Sequence, residues 1–439
     1  MEDTIERRNA LFKAYHERQG EIDARVREGI ETYRKGDATL HITDREGRPL
    51  AAEVSLTLKK HAFRFGCNCF MLDEMESEEK NQNYKEKFAA LFNLATMPFY
   101  WKDLEPQPGK PRYAADSEKI YRRPASDLCL NYCRENGIEP KVHCLNYMQW
   151  APTWLPDDIG ETKRLLEKRM RELSERYRDA VPCWEVTNET FCSAVEQPFY
   201  REPDFVEWSF ETARRYFPHN ELTINDFAWY GDPISNRLPY YMQIERALAH
   251  GTPIDSVGFQ FHLFDRRENL IAATRQRLDP LYLFRMHDQY AKLGLPMQIT
   301  EITIPSYANS QGDEELQAEM LSLLYRVWFS MEKMEKIIYW NLQDGYAAFA
   351  PQGDMEAGEN YYGGGLLRFD GSKKPVYHCL DRLLHEEWHT AVQGATQNGD
   401  LSFRGFYGEY EARVTVGGRT VTLPFVLKKG EDNQITLTL

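Results

Sequence analysis

The sequence predicts an α/β protein, a (β/α)8 (TIM) barrel with a small accessory β-sandwich formed from its N- and C-terminal strands. Three features carry this reading. Eight short apolar runs recur between residues 63 and 387, amphipathic stretches at helical spacing separate them, and segments of two-residue alternation flank the array on both sides.

Taken in order, residues 1–36 are highly charged, with Leu11, Phe12, Tyr15 and Ile22 at roughly helical spacing, and predict one or two exposed helices. Residues 38–60 alternate through ATLHITDREGRPLAAEVSLTLKK, with a turn signal at Asp44–Gly47, and predict a β-hairpin within the segment 37–62. The eight runs that follow are FRFGCN, LFNLATMPF, PKVHCL, CWEVTNE, LTIND, SVGFQFH, PMQITEI and KIIYWNL. Their apolar residues are continuous, as suits strands buried on both faces, and the intervals leave room for the crossover helices that parallel strands require. A count of eight favours a closed barrel over an open doubly wound sheet. Over residues 388–439 alternation returns in LSFRGFYGEYEARVTVGGRTVTLPFVLKK and ITLTL, with Gly417-Gly418 as a turn. Residues 37–62 supply too few strands to be stable alone, so they are expected to pair with residues 388–439 in one discontinuous sandwich against a barrel at 63–387.

Composition narrows the function. At 439 residues and 42% hydrophobic content, the chain has enough core for one barrel of about 250 residues plus accessory structure. A net charge of −14 argues against nucleic acid as a partner, because phosphate binding needs clustered Lys and Arg to displace counterions. The charged N-terminus has no apolar signal-type segment, and no run of about 18 apolar residues occurs; no membrane partner is read, and a cytoplasmic location is expected. The eight cysteines contain no Cys-x-x-Cys pair and are expected to be reduced, buried thiols rather than a zinc or redox site.

In a parallel barrel the site lies at the C-terminal strand ends, so the residues closing each run are informative. They are polar: Asn68, Lys102 just past the second run, His143, Asn188-Glu189, Asn225-Asp226, Gln260 with His262, Glu301, and Trp340 with Asn341. Each alone has an ordinary explanation as a core or salt-bridge group. Two carboxylates, Glu189 on the fourth strand and Glu301 on the seventh, end apolar strands on opposed sides of one rim. Such a pair suits glycoside hydrolysis, with one carboxyl protonating the leaving oxygen and the other attacking the anomeric carbon; a separation of about 5 to 5.5 Å gives retention. No metal or cofactor is required. The acids Asp354, Glu356 and Glu359 in the loop FAPQGDMEAGENYYGGGLLRFD read as a solvated, site-covering loop rather than a metal site.

At these residues the chain resembles glycoside hydrolase family 10, the β-xylanase family, over most of residues 63–385. WEVTNE is similar to that family's Trp-Asp-Val-Val-Asn-Glu, ITEI to Ile-Thr-Glu-Leu, GFQFH to Gly-x-Gln-x-His and LTINDF to its Asn-Asp-Tyr segment, while FNLATMPFYWKDLEPQPGK follows the stretch around its second strand. The resemblance implies Glu189 as acid/base and Glu301 as nucleophile. It places Asn188 on the sugar 2-hydroxyl in subsite −1, His262 and Gln260 as groups orienting Glu301, Lys102 and His143 on sugar hydroxyls, and Trp340 under the sugar ring. Asn225 and Tyr147 join the supporting and substrate-binding set.

The departures cluster at sugar-binding positions. Pro98-Phe99 stands where the family has Glu-Asn, so a xylose subsite −2 is altered or closed. Tyr147 and Met148 replace a Trp and a His, Thr303 replaces the Asp that would support the histidine, and Ala347-Ala348 replaces Ser-Trp, with Phe349 the nearest aromatic. The expected substrate is therefore a short oligosaccharide or small β-glycoside with a β-1,4-xylosidic or related bond. Glucosides, galactosides and plant aryl glycosides are the alternative, with Trp150, Trp154, Trp184, Trp229 and Tyr230 as candidate platforms. A non-catalytic carbohydrate-binding barrel would predict loss of a carboxylate. For the terminal helices and the sandwich, support of the barrel is the expected role, against a carbohydrate-binding module or a dimer contact. Nothing in the sequence fixes the oligomeric state.

Overall fold

A computed structural model describes residues 2–191, 197–231, 237–307 and 311–439. The first two strands are β1 (Lys35–Thr43) and β2 (Glu53–His61). Eight further strands follow: β3 (Arg64–Asn68), β4 (Leu94–Pro98), β5 (Glu139–His143), β6 (Cys183–Asn188), β7 (Glu221–Asp226), β8 (Ser256–His262), β9 (Met297–Thr303) and β10 (Met334–Tyr339). These eight close into a parallel barrel in chain order, β10 pairing with β3. Each matches one of the eight apolar runs. Every residue of β4, β6 and β9 is buried, which is why their sequences read as continuous rather than alternating.

The last five strands are β11 (Ala391–Ala395), β12 (Asp400–Phe406), β13 (Gly408–Val416), β14 (Arg419–Leu427) and β15 (Gln434–Thr438). They form two sheets with the first two strands, β12-β1-β15 and β11-β2-β13-β14. The predicted hairpin at 38–60 does not form. β1 and β2 lie in different sheets and share no ladder; an isolated bridge, Thr43 to Pro49, is what links this turn region. Each strand has one apolar row, Ala38, Leu40 and Ile42 on β1 and Val54, Leu56 and Leu58 on β2. A two-stranded hairpin would leave both rows on one uncovered face, whereas separate sheets bury them from both sides of a sandwich. The Asp44–Gly47 turn is present, Asp44 accepting from the amides of Glu46 and Arg48 at 3.0 and 2.8 Å, and it starts the crossing between sheets.

The N-terminal segment is less exposed than its charge suggests. The helix Gln19–Arg34 buries Ile22, Val26 and Ile30, and Gly29 comes so close to the barrel that a Cβ would stand 2.2 Å from the Ser330 carbonyl oxygen. Arg25 pairs with Asp288 at 3.0 Å and lies over the Phe284 ring. Among the described residues no helix is long and apolar enough to cross a membrane. The seven described cysteines are buried and not in disulfides; Cys192 lies outside the described residues.

Candidate active site

The cleft opens at the shared C-terminal rim of the barrel and holds about 370 Å³, within the usual range for small-molecule sites. Glu189 follows the last residue of β6 and Glu301 lies within β9; both line the cleft. Glu189 adopts φ +51°, the left-handed region that a side chain rarely occupies without cause. Its amide donates to the Asn225 carbonyl at 3.1 Å. The Tyr147 hydroxyl donates to its Oε2 at 2.6 Å and Gln260 Nε2 to its Oε1 at 2.9 Å.

Glu301 has a different set of partners. Asn225 Nδ2 donates to its Oε1 at 2.9 Å, and His262 Nε2 stands 3.1 Å from its Oε2. Three amides bridge the two acids. Gln260 Nε2 reaches both Glu189 and Asn188 Oδ1 (3.1 Å), while Asn225 Nδ2 reaches both Asn188 Oδ1 (2.8 Å) and Glu301. Because Oδ1 of Asn188 accepts both bonds, its Nδ2 donor is what it offers to the cleft.

Beneath this rim lies a buried ionic layer. Glu185, inaccessible to solvent, accepts from Lys141 Nζ at 2.5 Å and contacts His143 Nδ1 at 2.7 Å. Burial alone would raise its pKa, but His143 and Lys141 overcome that and bring it down to about 2. Burial acts without such relief on Glu301 and pushes it up to about 8. The influence of His143 and Lys141 lowers it by less than burial raises it, while Glu185 and Glu189 add to the rise. His262 is lowered to about 4 by burial, so its imidazole is neutral; with Glu301 ionised, Nε2–H donates to it and Nδ1 accepts from the Thr303 hydroxyl at 2.9 Å. His143, Cys144 and Glu185 lie close enough together to suggest a metal site. The carboxylate is already engaged by Lys141 and His143, and burial pushes the Cys144 thiol well up, against a thiolate ligand.

The raised Glu301 has a consequence for stability. Between the ordinary carboxylate range and about 8, the unfolded chain releases a proton that the folded chain keeps, so stability falls as pH rises through that interval. Glu301→Gln holds the side chain neutral. It should therefore be more stable than wild type at pH 9 by on the order of 2–4 kcal/mol, with little difference at pH 4. Denaturation midpoints at the two pH values check this; an equal gap at both would show that the carboxylate is not burdened by burial.

Of the residues expected at the site, Asn188, His262, His143, Tyr147 and Trp340 line the cleft. Asn225 lies just beneath, fully buried, and serves both acids. Gln260 also lines the cleft, but its partners are Glu189 and Asn188, not Glu301: its side chain extends toward the β6 end, and it is His262 that faces Glu301. Lys102 is not among the cleft residues. It sits exposed on the short helix Trp101–Leu104, its Nζ 5.9 Å from the Trp150 ring, because that helix turns its Trp101 and Leu104 inward instead. Of the loop acids Asp354, Glu356 and Glu359, Glu359 lines the cleft, as do Ala348 and Phe349.

Tyr100, Arg122, Arg123 and Glu185 escaped the sequence reading. Phe99, at the altered Pro98-Phe99 pair, is buried against Tyr177 and Trp184. Its neighbour Tyr100 takes the cleft position, its hydroxyl 2.9 Å from His143 Nε2 and its ring stacked on Trp150 at 4.9 Å. Glu185 had a signal, an acid set between Trp184 and Val186 in a buried strand; the two arginines lie in an irregular loop and had none.

The family model of glycosyl hydrolase family 10 matches residues 57–360. The anti-sigma-I factor RsgI6 of Acetivibrio thermocellus is 25% identical over 89% of this chain and 46% of its own length. Endo-1,4-beta-xylanase B of Neocallimastix patriciarum is 24% identical over 63% of this chain and 31% of its own. The chain thus spans less than half the length of these relatives. Among solved structures, xylanase 10B from Thermotoga petrophila RKU-1 in complex with xylobiose superposes with TM-score 0.58 at 20% identity, covering 74% of this chain and 95% of that one.

Proposed function

The chain belongs to glycosyl hydrolase family 10, and from that premise we propose that it hydrolyses β-glycosidic bonds by double displacement, with Glu301 as nucleophile and Glu189 as acid/base. The observation that carries this reading is the pair of cleft carboxylates, each with its own donors and joined through Gln260, Asn188 and Asn225. Glu189 gives its proton to the leaving oxygen while Glu301 bonds to the anomeric carbon. In the second step Glu189 takes a proton from water, and that water releases the sugar from Glu301. Neutral His262 helps by donating to the ionised nucleophile without neutralising it. The Asn188 amide is available to the sugar 2-hydroxyl, and Trp340, set edge-on to Phe70 at 5.2 Å, forms an apolar wall.

The substrate we infer is a short oligosaccharide with a β-1,4-xylosidic or related bond, in line with the xylobiose held by the Thermotoga petrophila neighbour. A second reading, a small glycoside with an aryl aglycone, draws support from Phe227, Phe264 and Phe349, which line the cleft with exposures of 42%, 36% and 75%. Exposed aromatic faces of that size suit an apolar leaving group. Hydrolysis of nitrophenyl β-xyloside, β-xylobioside, β-glucoside and β-galactoside, against xylotriose and longer chains, separates the two. Preference for xylose-based chains supports the first reading and preference for single sugars on an aryl group the second; with no turnover of any of them both substrate readings fail.

The pH profile follows from the nucleophile. Glu301 must be ionised to attack, so kcat/KM should fall as pH drops below about 8 rather than near the ordinary carboxylate range. Thr303→Asp would set a carboxylate behind His262, favour imidazolium, and bring a positive charge against Glu301. The acid limb should then move down by about one pH unit. An unshifted limb would mean that Thr303 does not act through the histidine.

A further inference from the structure

Two consecutive arginines, Arg122 and Arg123, line the cleft from the loop that precedes the helix Ser126–Glu135. A neutral sugar requires neither. Arg123 is accounted for: its Nε donates to Asp103 Oδ2 at 2.7 Å, and its guanidinium lies over Tyr100 at 4.2 Å and Trp150 at 4.6 Å.

Arg122 is not accounted for in the same way. It is 5% exposed, and its Nη1 donates to the Tyr346 carbonyl and to Asn341 Oδ1 at 3.2 Å, both uncharged. Its Nε is buried with no partner, and among the described residues no carboxylate comes within 4.0 Å of it. Glu359 is the cleft acid whose field reaches Arg122, but its Oε2 faces the Ala348 amide at 3.4 Å. The backbone of Arg122 sits at φ +62°, so the chain accepts strain to hold this residue here. A buried cation without a counter-charge is costly, and a second guanidinium beside it adds repulsion. The remaining arginine of the cleft, Arg277, already has Asp265 at 2.5 Å.

We propose that Arg122 and Arg123 bind a carboxylate of the substrate, so that the preferred glycosides carry a uronic acid on the side of the cleft built by the loops after β3, β4 and β5. The proposal rests on the glycosidase reading of this cleft. A guanidinium presents a planar fork of donors that fits a carboxylate, and an incoming carboxylate would supply Arg122 with its missing counter-charge while relieving its repulsion with Arg123. The rings of Phe70, Tyr100 and Trp150 lie against the pair and help to hold the guanidinium groups in place.

The test is calorimetric binding to the full chain carrying Glu301→Gln, with ligands in matched pairs. Nitrophenyl β-glucuronide against nitrophenyl β-glucoside places the carboxylate on the ring itself; xylotriose with a glucuronic acid branch against plain xylotriose places it on a side group. The acidic member of at least one pair should bind about 10- to 100-fold more tightly at low salt, with the gap narrowing as salt rises. Arg122→Met should erase that gap. The wild-type-arginine comparison stands even if this variant does not fold. Equal or tighter binding of both neutral members overturns the arginine assignment while leaving the glycosidase reading intact. Failure of all four ligands to bind overturns both.

Discussion

Glu301→Ala is expected to lower turnover by on the order of 10⁴- to 10⁶-fold, leaving only background hydrolysis. Neither of the two carboxylates nearest in the barrel can take its place: Glu185 lies beneath the cleft, locked to Lys141 and His143, and Glu189 is held on the far side of the amide bridge by Tyr147 and Gln260. Glu189→Ala should behave differently. With an activated nitrophenyl leaving group the first step needs little acid, so a glycosyl–Glu301 ester accumulates, and azide, which attacks without a general base, should restore turnover and yield a β-glycosyl azide. Undiminished turnover in Glu301→Ala would remove it as nucleophile. An α-azide product would point to inversion.

Glu185→Ala should be the most damaging substitution for stability. It leaves Lys141, fully buried, with no counter-charge, and strips His143 and Asn225 of an acceptor. Removing one partner of a buried pair costs about 3–5 kcal/mol. Replacing both partners together, as in Lys141→Met with Glu185→Leu, removes the uncompensated charge, so its denaturation midpoint should lie well above that of the single variant. The pH dependence carries a second signature. Glu185 is depressed when folded, so its contribution is fully present above the ordinary carboxylate range and is lost as pH falls from there through about 2. That portion of the acid unfolding slope should vanish in the double variant. A double variant as unstable as Glu185→Ala would show that packing, not charge, dominates this layer.

The barrel was legible because each strand is buried on both faces, and a continuous apolar run is what such burial writes into a sequence. The two carboxylates were legible because a charged residue closing such a run has few places to go other than the rim. Partners across the rim were not. Gln260 and His262 are two apart on β8 and both face the cleft, and only side-chain reach decides which acid each one meets. The hairpin expectation failed for a related reason. Alternation and a turn say that β1 and β2 each have an apolar face, but not which strand covers it, and here the covering strands lie at the other end of the chain. Arg122 had no local pattern at all, since its meaning comes from the counter-charge that its neighbours do not supply.

The sandwich joins residues that are far apart in the order of synthesis. Thr39 on β1 meets Ser402 on β12, 363 positions later. At the usual ~5–20 residues per second, β1 and β2 wait roughly 20 to 70 s on the ribosome before their partners exist. Through that interval their apolar rows and unpaired edges are open to other chains, and the barrel between them has time to close first. Assembly of the sandwich then comes after closure of the barrel, which it fastens.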